Sequence, residues 1–352
     1  MKLPVLAGSR PAHAAEAWTL DTSVSSTTFS DDGTEDHRRA WSVGTGFRAL
    51  TLATVIFTLA LVTLGGVVRL TDSGLGCPDW PLCHGKIIPP ADAATLIEYS
   101  HRLLASVTGL LVLATTLIVW RSYRKQPWLL VPTTLGFILL IVQVLLGGFT
   151  VLKELPASIV LAHLATAEAL IASLVVVCMV AFRGPPITDS REGGDRGGPD
   201  RFLILVLATL LAGYALLLSG SYVTVSGATV SCGQGWPLCQ GQFIPEGYYA
   251  TIHMAHRVVG LLVGAMIVAV LAMAWRRKED FSAMRWTTVI VGGLFLAQIM
   301  IGATILWMGF PLILRLLHLV AATLVWVGLA ALAVLSYKPT APTSALKGVS
   351  GA

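Results

Sequence analysis

Charge is what this chain has least of. Only 12% of its 352 residues are Asp, Glu, Lys or Arg, while 55% are hydrophobic; an ordinary soluble domain is about a quarter charged. A water-soluble globule of this composition would aggregate, which excludes a soluble enzyme and a disordered scaffold. The net charge of +5 is scattered over connecting segments, and without a concentrated basic face no nucleic acid is expected as a partner. Strict apolar-polar alternation is also missing, so a membrane β-barrel is excluded. No apolar stretch precedes residue 50, and the first 49 residues contain Asp31, Asp32, Glu35 and Asp36. They read as a disordered cytoplasmic arm instead of a cleaved signal or a mitochondrial transit peptide.

What the chain does have is eight continuous apolar runs, at 50–68, 98–120, 128–152, 157–182, 202–225, 253–275, 286–308 and 311–336. A membrane-spanning helix needs about 20 such residues. Of the 24 Lys and Arg, all but Arg69, Lys86, Arg102, Lys153, Arg257 and Arg315 fall on one side if both termini are on that side. The positive-inside bias makes it the cytoplasm, with segments 71–97 and 226–250 outside. Cys77, Cys83, Cys232 and Cys239 then lie in an oxidising compartment, whereas Cys178 is a mid-helix packing residue. CPDWPLC and CGQGWPLC each contain Pro and Trp, which favour a compact turn, so two local disulfides, Cys77-Cys83 and Cys232-Cys239, are expected. They serve as staples over the bundles or as a thiol pair passing electrons.

The Gly-, Pro- and charge-rich stretch at 184–201 reads as a cytoplasmic linker. It separates two copies of one unit. Adding 155 to Cys77, His101, Arg102, Gln143, Gly147, Pro156 and His163 reaches Cys232, His256, Arg257, Gln298, Gly302, Pro311 and His318. Four helices per copy make the repeats parallel. The expected fold is therefore all-α and integral to the membrane: eight transmembrane helices in two parallel-repeat four-helix bundles, 50–183 and 202–337, followed by a cytoplasmic tail at 338–352.

Ionisable groups inside a bilayer cost a few kcal/mol and point to function. His101 and His163 lie at one depth in the first bundle, and His256 and His318 at one depth in the second. Two facing imidazoles suit the axial positions of a haem iron better than a four-ligand zinc site. Glycines at 147, 148 and 302 would let a flat macrocycle approach the backbone. Arg102 and Arg257 each follow a ligand; they either snorkel out to haem propionates or anchor at the interface. Where the copies differ is informative: Glu98, on the face of His101, has His253 as its counterpart. His253 reads as a spare ligand, a propionate partner or an acid-base group, and Glu98 as an acid-base group or a helix-dipole carboxylate. His13, His37 and His84 receive no role.

GGVVRLTDSGLGCPDWPLCHGKIIP followed by EYSHR, with the degenerate copy CGQGWPLCQGQFIP followed by HMAHR, resembles the haem A synthase family over about residues 50 to 336. That resemblance implies substrate haem O on His101 and His163, a haem b cofactor on His256 and His318, and Glu98 as the catalytic carboxylate. It implies oxidation of the haem O C8 methyl to a formyl group by successive hydroxylation and loss of water, giving haem A for terminal oxidases. It further implies a bacterial cell membrane and, as partners, haem O synthase (protohaem farnesyltransferase) and a membrane electron acceptor; a homo-oligomer is compatible. Where the family reads Thr-Gly-Ser-Gly, this chain has Thr71, Asp72, Ser73 and Gly74. The competing readings are a di-haem b-type electron-transfer protein and a transporter with a polar midline.

Overall fold

The computed structural model describes residues 43–185, 200–277 and 282–337. Most of the arm and the linker, and the C-terminal tail, lie outside them. Eight helices are described: α1 Thr45–Leu70, α2 Ala93–Ser122, α3 Pro127–Leu152, α4 Ala157–Arg183, α5 Arg201–Val225, α6 Tyr248–Arg276, α7 Ser282–Trp307 and α8 Leu312–Ser336. All eight are long and apolar enough to cross a membrane, and no strand occurs among the described residues. α1, α2 and α6 begin five residues before the apolar runs that announced them. The start of α2 is fixed by Asp92, whose side chain accepts from the Thr95 N–H (3.0 Å).

Inside lipid, a hydroxyl must find its acceptor in the protein. Thr54, Thr58, Thr108, Thr115 and Thr116 donate to the carbonyl four residues back, at 2.7 to 2.8 Å. Helices α1–α4 form one bundle and α5–α8 the other, and α1, α4, α5 and α8 meet between them. Ile171 and Val175 of α4, Leu217 of α5, and Trp326 and Ala330 of α8 make an apolar cluster across that junction.

A carboxylate that the sequence reading passed over lies at the same junction. Glu168 is fully buried. Its Oε1 accepts from Thr323 Oγ1 of α8 (2.8 Å), and its backbone carbonyl accepts from Trp326 Nε1 (2.7 Å). Thr323 is the residue 155 positions after Glu168, so this bond joins repeat-equivalent positions and marks the pseudo-twofold axis. An acidic residue inside the run 157–182 was the available signal.

Small residues admit the two bundles to each other. A Cβ on Gly66 of α1 would stand 2.4 Å from Leu319 Cδ2 and 3.2 Å from Leu316 Cδ1 on α8. Gly66→Val is therefore expected to cost about 1–3 kcal/mol by overpacking, whereas Gly293→Ala, with nothing within 4 Å, should be neutral or stabilising. Thermal unfolding of the two variants in detergent checks the difference.

Candidate functional site

The four histidines enter from the polar ends of the even-numbered helices. His101 and His256 are the ninth residues of α2 and α6, and His163 and His318 the seventh of α4 and α8. Each ring lies against a glycine on the preceding helix. A Cβ on Gly65, Gly147, Gly220 or Gly302 would stand 3.1, 3.4, 2.9 and 3.0 Å from the Cε1 of His101, His163, His256 and His318. Glycines 147 and 302, expected to admit a macrocycle, each also make room for an imidazole, and Gly148 faces the Trp80 ring at 3.1 Å. Gly65 and Gly220 are also 155 apart, a signal the sequence comparison did not use.

These rings have the wiring of ligands. Nδ1 of His101, His163 and His318 is buried with no hydrogen-bond partner, although a structural histidine in a helical bundle ordinarily finds a carbonyl. Only His256 is anchored, its Nδ1 lying 2.8 Å from Ser219 Oγ. No cluster of three or more His, Cys, Asp or Glu that could hold a metal ion occurs among the described residues, so the donor set is a pair in each half. In the second half the pair opens on a cavity of about 600 Å³, lined by His256, His318, Gly220, Gly302, Gln298 and largely apolar side chains. A flat, mostly apolar macrocycle with two open axial positions fits such a site.

Over each pair lies a loop closed by a disulfide. Cys77 is bonded to Cys83 and Cys232 to Cys239, each with a Cα–Cα distance of 4.7 Å. Each loop then makes a two-residue turn, with His84 and Gly85 or Gln240 and Gly241 at positive φ. In the first loop the Asp79 carboxylate accepts from the backbone N–H groups of His84 (2.6 Å) and Gly85 (2.7 Å). These bonds, Gly85 first, hold Asp79 below the ordinary 3.8. A lowered carboxyl pKa contributes stability above the unfolded value that is lost as pH falls through the folded one, so this turn loosens only in acid. His84, given no role from sequence, closes the loop onto the Gly76 carbonyl (2.9 Å).

Arg102 has different work from the propionate contact expected of it. Its Nε (3.1 Å) and Nη2 (2.5 Å) donate to Glu98 Oε1, Nη2 also to the Cys77 carbonyl (3.0 Å), and Nη1 to the carbonyls of Asp79 and Leu82 (both 2.7 Å). All five guanidinium donors are taken. Glu98 is buried and sits in the second turn of α2, so it is not a first-turn carboxylate complementing the helix dipole. Its Oε2 accepts from the Cys77 N–H (2.8 Å). Arg257 repeats the lid contact, with Nη1 donating to Gly235, Pro237 and Leu238, but its Nη2 is buried and unpartnered. His253, at the position of Glu98, has Nδ1 3.2 Å from the Ala228 carbonyl.

A family model described as cytochrome oxidase assembly protein, COX15-CtaA, matches residues 48–330. The chain is 29% identical over 292 residues to the heme A synthase of Alkalihalophilus pseudofirmus, covering 82% of this chain and 96% of that one. It is 30% identical over 276 residues to the heme A synthase of Halalkalibacterium halodurans, with 76% and 89% covered. For that of Exiguobacterium sibiricum the figures are 31% over 274 residues, 76% and 87%.

Gly220→Val puts a branched side chain where a Cβ alone already approaches His256 Cε1 to 2.9 Å. The variant should swing that ring off its partner. The expected result is loss of one low-spin, six-coordinate haem signal in electron paramagnetic resonance, with helix content by circular dichroism unchanged.

Proposed function

The chain belongs to the COX15-CtaA family of cytochrome oxidase assembly proteins, and on that premise we propose that it is a haem A synthase, a multi-pass membrane oxidoreductase acting on haem O. The C8 methyl of haem O is converted to a formyl group by successive hydroxylation and loss of water. His101 and His163 bind the substrate iron; His256 and His318 bind a haem b cofactor. The observation that carries this division is a buried carboxylate beside one imidazole pair, Glu98, and a buried imidazole, His253, beside the other. Two permanently held haem b groups would call for no such difference.

When bound, haem b supplies a one-electron redox centre between the substrate and a membrane electron acceptor. The chain's own residues do the rest. Fixing the substrate through two imidazoles presents one part of the ring edge to Glu98. Three of the roughly four acceptor positions of Glu98 are filled by Arg102 and the Cys77 N–H, which leaves about one to take the proton released as the methyl carbon is oxidised. The Cys77-Cys83 disulfide acts as a staple, because the backbone it closes supplies the N–H and carbonyls that hold Glu98 and Arg102 in register. The termini are cytoplasmic and the cysteine loops extracytoplasmic, where haem O arrives from its synthase.

Glu98→Gln keeps the shape of the site and removes the proton acceptor. Co-expressed with a source of haem O, it should retain both haems and form haem A at least about a hundredfold more slowly. His101→Ala should lose the substrate haem. Chromatography of extracted haems reads both outcomes, and ordinary haem A yield from Glu98→Gln would remove the carboxylate from the mechanism.

A further inference from the structure

The second-half cavity carries an unbalanced charge. Arg69, Arg257 and Arg315 line it, and no Asp or Glu does. Arg69 comes from the end of α1, in the other bundle. Arg315 lies three residues before His318 on α8, on the same face. Among the described residues the side chains of Arg69 and Arg315 make no hydrogen bond or ion pair, yet each is only partly exposed. Arg257 adds a buried Nη2 with no partner.

Like-charged guanidiniums facing an apolar cavity, unpaired and partly desolvated, are costly unless a ligand brings the opposite charge. Resting on the reading that this cavity holds haem b, we infer that Arg69 and Arg315, with the free nitrogen of Arg257, clamp the two propionate carboxylates and make this the retentive site of the pair. The ligand chemistry is a dicarboxylate on a flat apolar body whose iron His256 and His318 would hold.

The other half lacks the means. The repeat counterparts of Arg69 and Arg315 are Thr224 and Val160, and its remaining arginine, Arg102, is neutralised by Glu98 and saturated by loop carbonyls. Its ligand His101 has no counterpart of the Ser219 anchor on His256; that repeat position is Leu64. One half is built to keep its macrocycle and the other to exchange it, which a synthase that releases its product requires. Because α1 supplies Arg69, the retained group also bridges the two bundles.

The test follows haem leaving purified holoprotein for excess apomyoglobin, with the released pigment identified by chromatography. In the wild type, haem b should leave more slowly than haem O. Arg69→Gln/Arg315→Gln should speed haem b loss by roughly ten- to a hundredfold while the low-spin spectrum before release stays intact. Arg69→Lys/Arg315→Lys should keep most of the slow rate, and the dimethyl ester of haem b should leave wild-type protein as fast as haem b leaves the glutamine variant. Equal rates for haem b and its ester, or for wild type and the glutamine variant, overturn the clamp alone; that is the outcome if a lipid phosphate pairs these arginines instead. Wild-type protein purified with no bis-imidazole haem would overturn the clamp and the underlying assignment together.

Discussion

An imidazole inside a bilayer is costly and calls for a partner, and this protein places four there, His101, His163, His256 and His318. The rest of the arrangement follows from it. Facing imidazoles require two helices entering from the same side, which a four-helix unit supplies when alternate helices carry the residue. A close-packed imidazole requires a neighbour without a side chain, which Gly65, Gly147, Gly220 and Gly302 supply. Helix spacing, glycine placement and histidine depth are thus one constraint seen from three sides, and duplication imposed it on both bundles.

Duplication also explains how one fold supports two tasks. The shared parts are those that hold a macrocycle: the imidazole pair, the glycine behind each ring, and a disulfide-closed lid gripped by an arginine. The altered parts are those that decide what happens to it. Where the first half has Glu98 bound to Arg102, the second has His253 turned to a loop carbonyl. Where the second half has Ser219 behind His256 and two unpaired arginines at the cavity mouth, the first has Leu64, Val160 and an arginine with no donor to spare. The proposed division between acid-base chemistry and ligand retention would rest on a handful of substitutions on a common frame.

The disulfide-closed loops are tied to the buried carboxylate below them. Glu98 receives its second partner from the backbone of Cys77, and Arg102 binds that loop at three carbonyls. The disulfide therefore bears on the carboxylate through the main chain. Midway along the helices the junction between the bundles is apolar packing around the Glu168–Thr323 bond, and at the far end Arg277 pairs with Asp200.

Composition and periodicity alone settled that this is an eight-helix membrane protein built from a repeat, because the bilayer allows a chain this apolar few other solutions. Spacing within the repeat found the four histidines, the two cysteine pairs and a carboxylate, Glu98, that breaks the symmetry, since helical geometry carries residues three or four apart onto one face; the same rule brings Arg102 beside Glu98. Tertiary structure decided what no spacing encodes. Contacts between segments drew Arg102 to the loop carbonyls of Cys77, Asp79 and Leu82, set the glycines against imidazoles, brought Glu168 to Thr323 across the pseudo-twofold axis, and carried Arg69 from one bundle to the cavity of the other. A side chain's direction is fixed by the neighbours that fill the space around it, and those neighbours are distant in sequence.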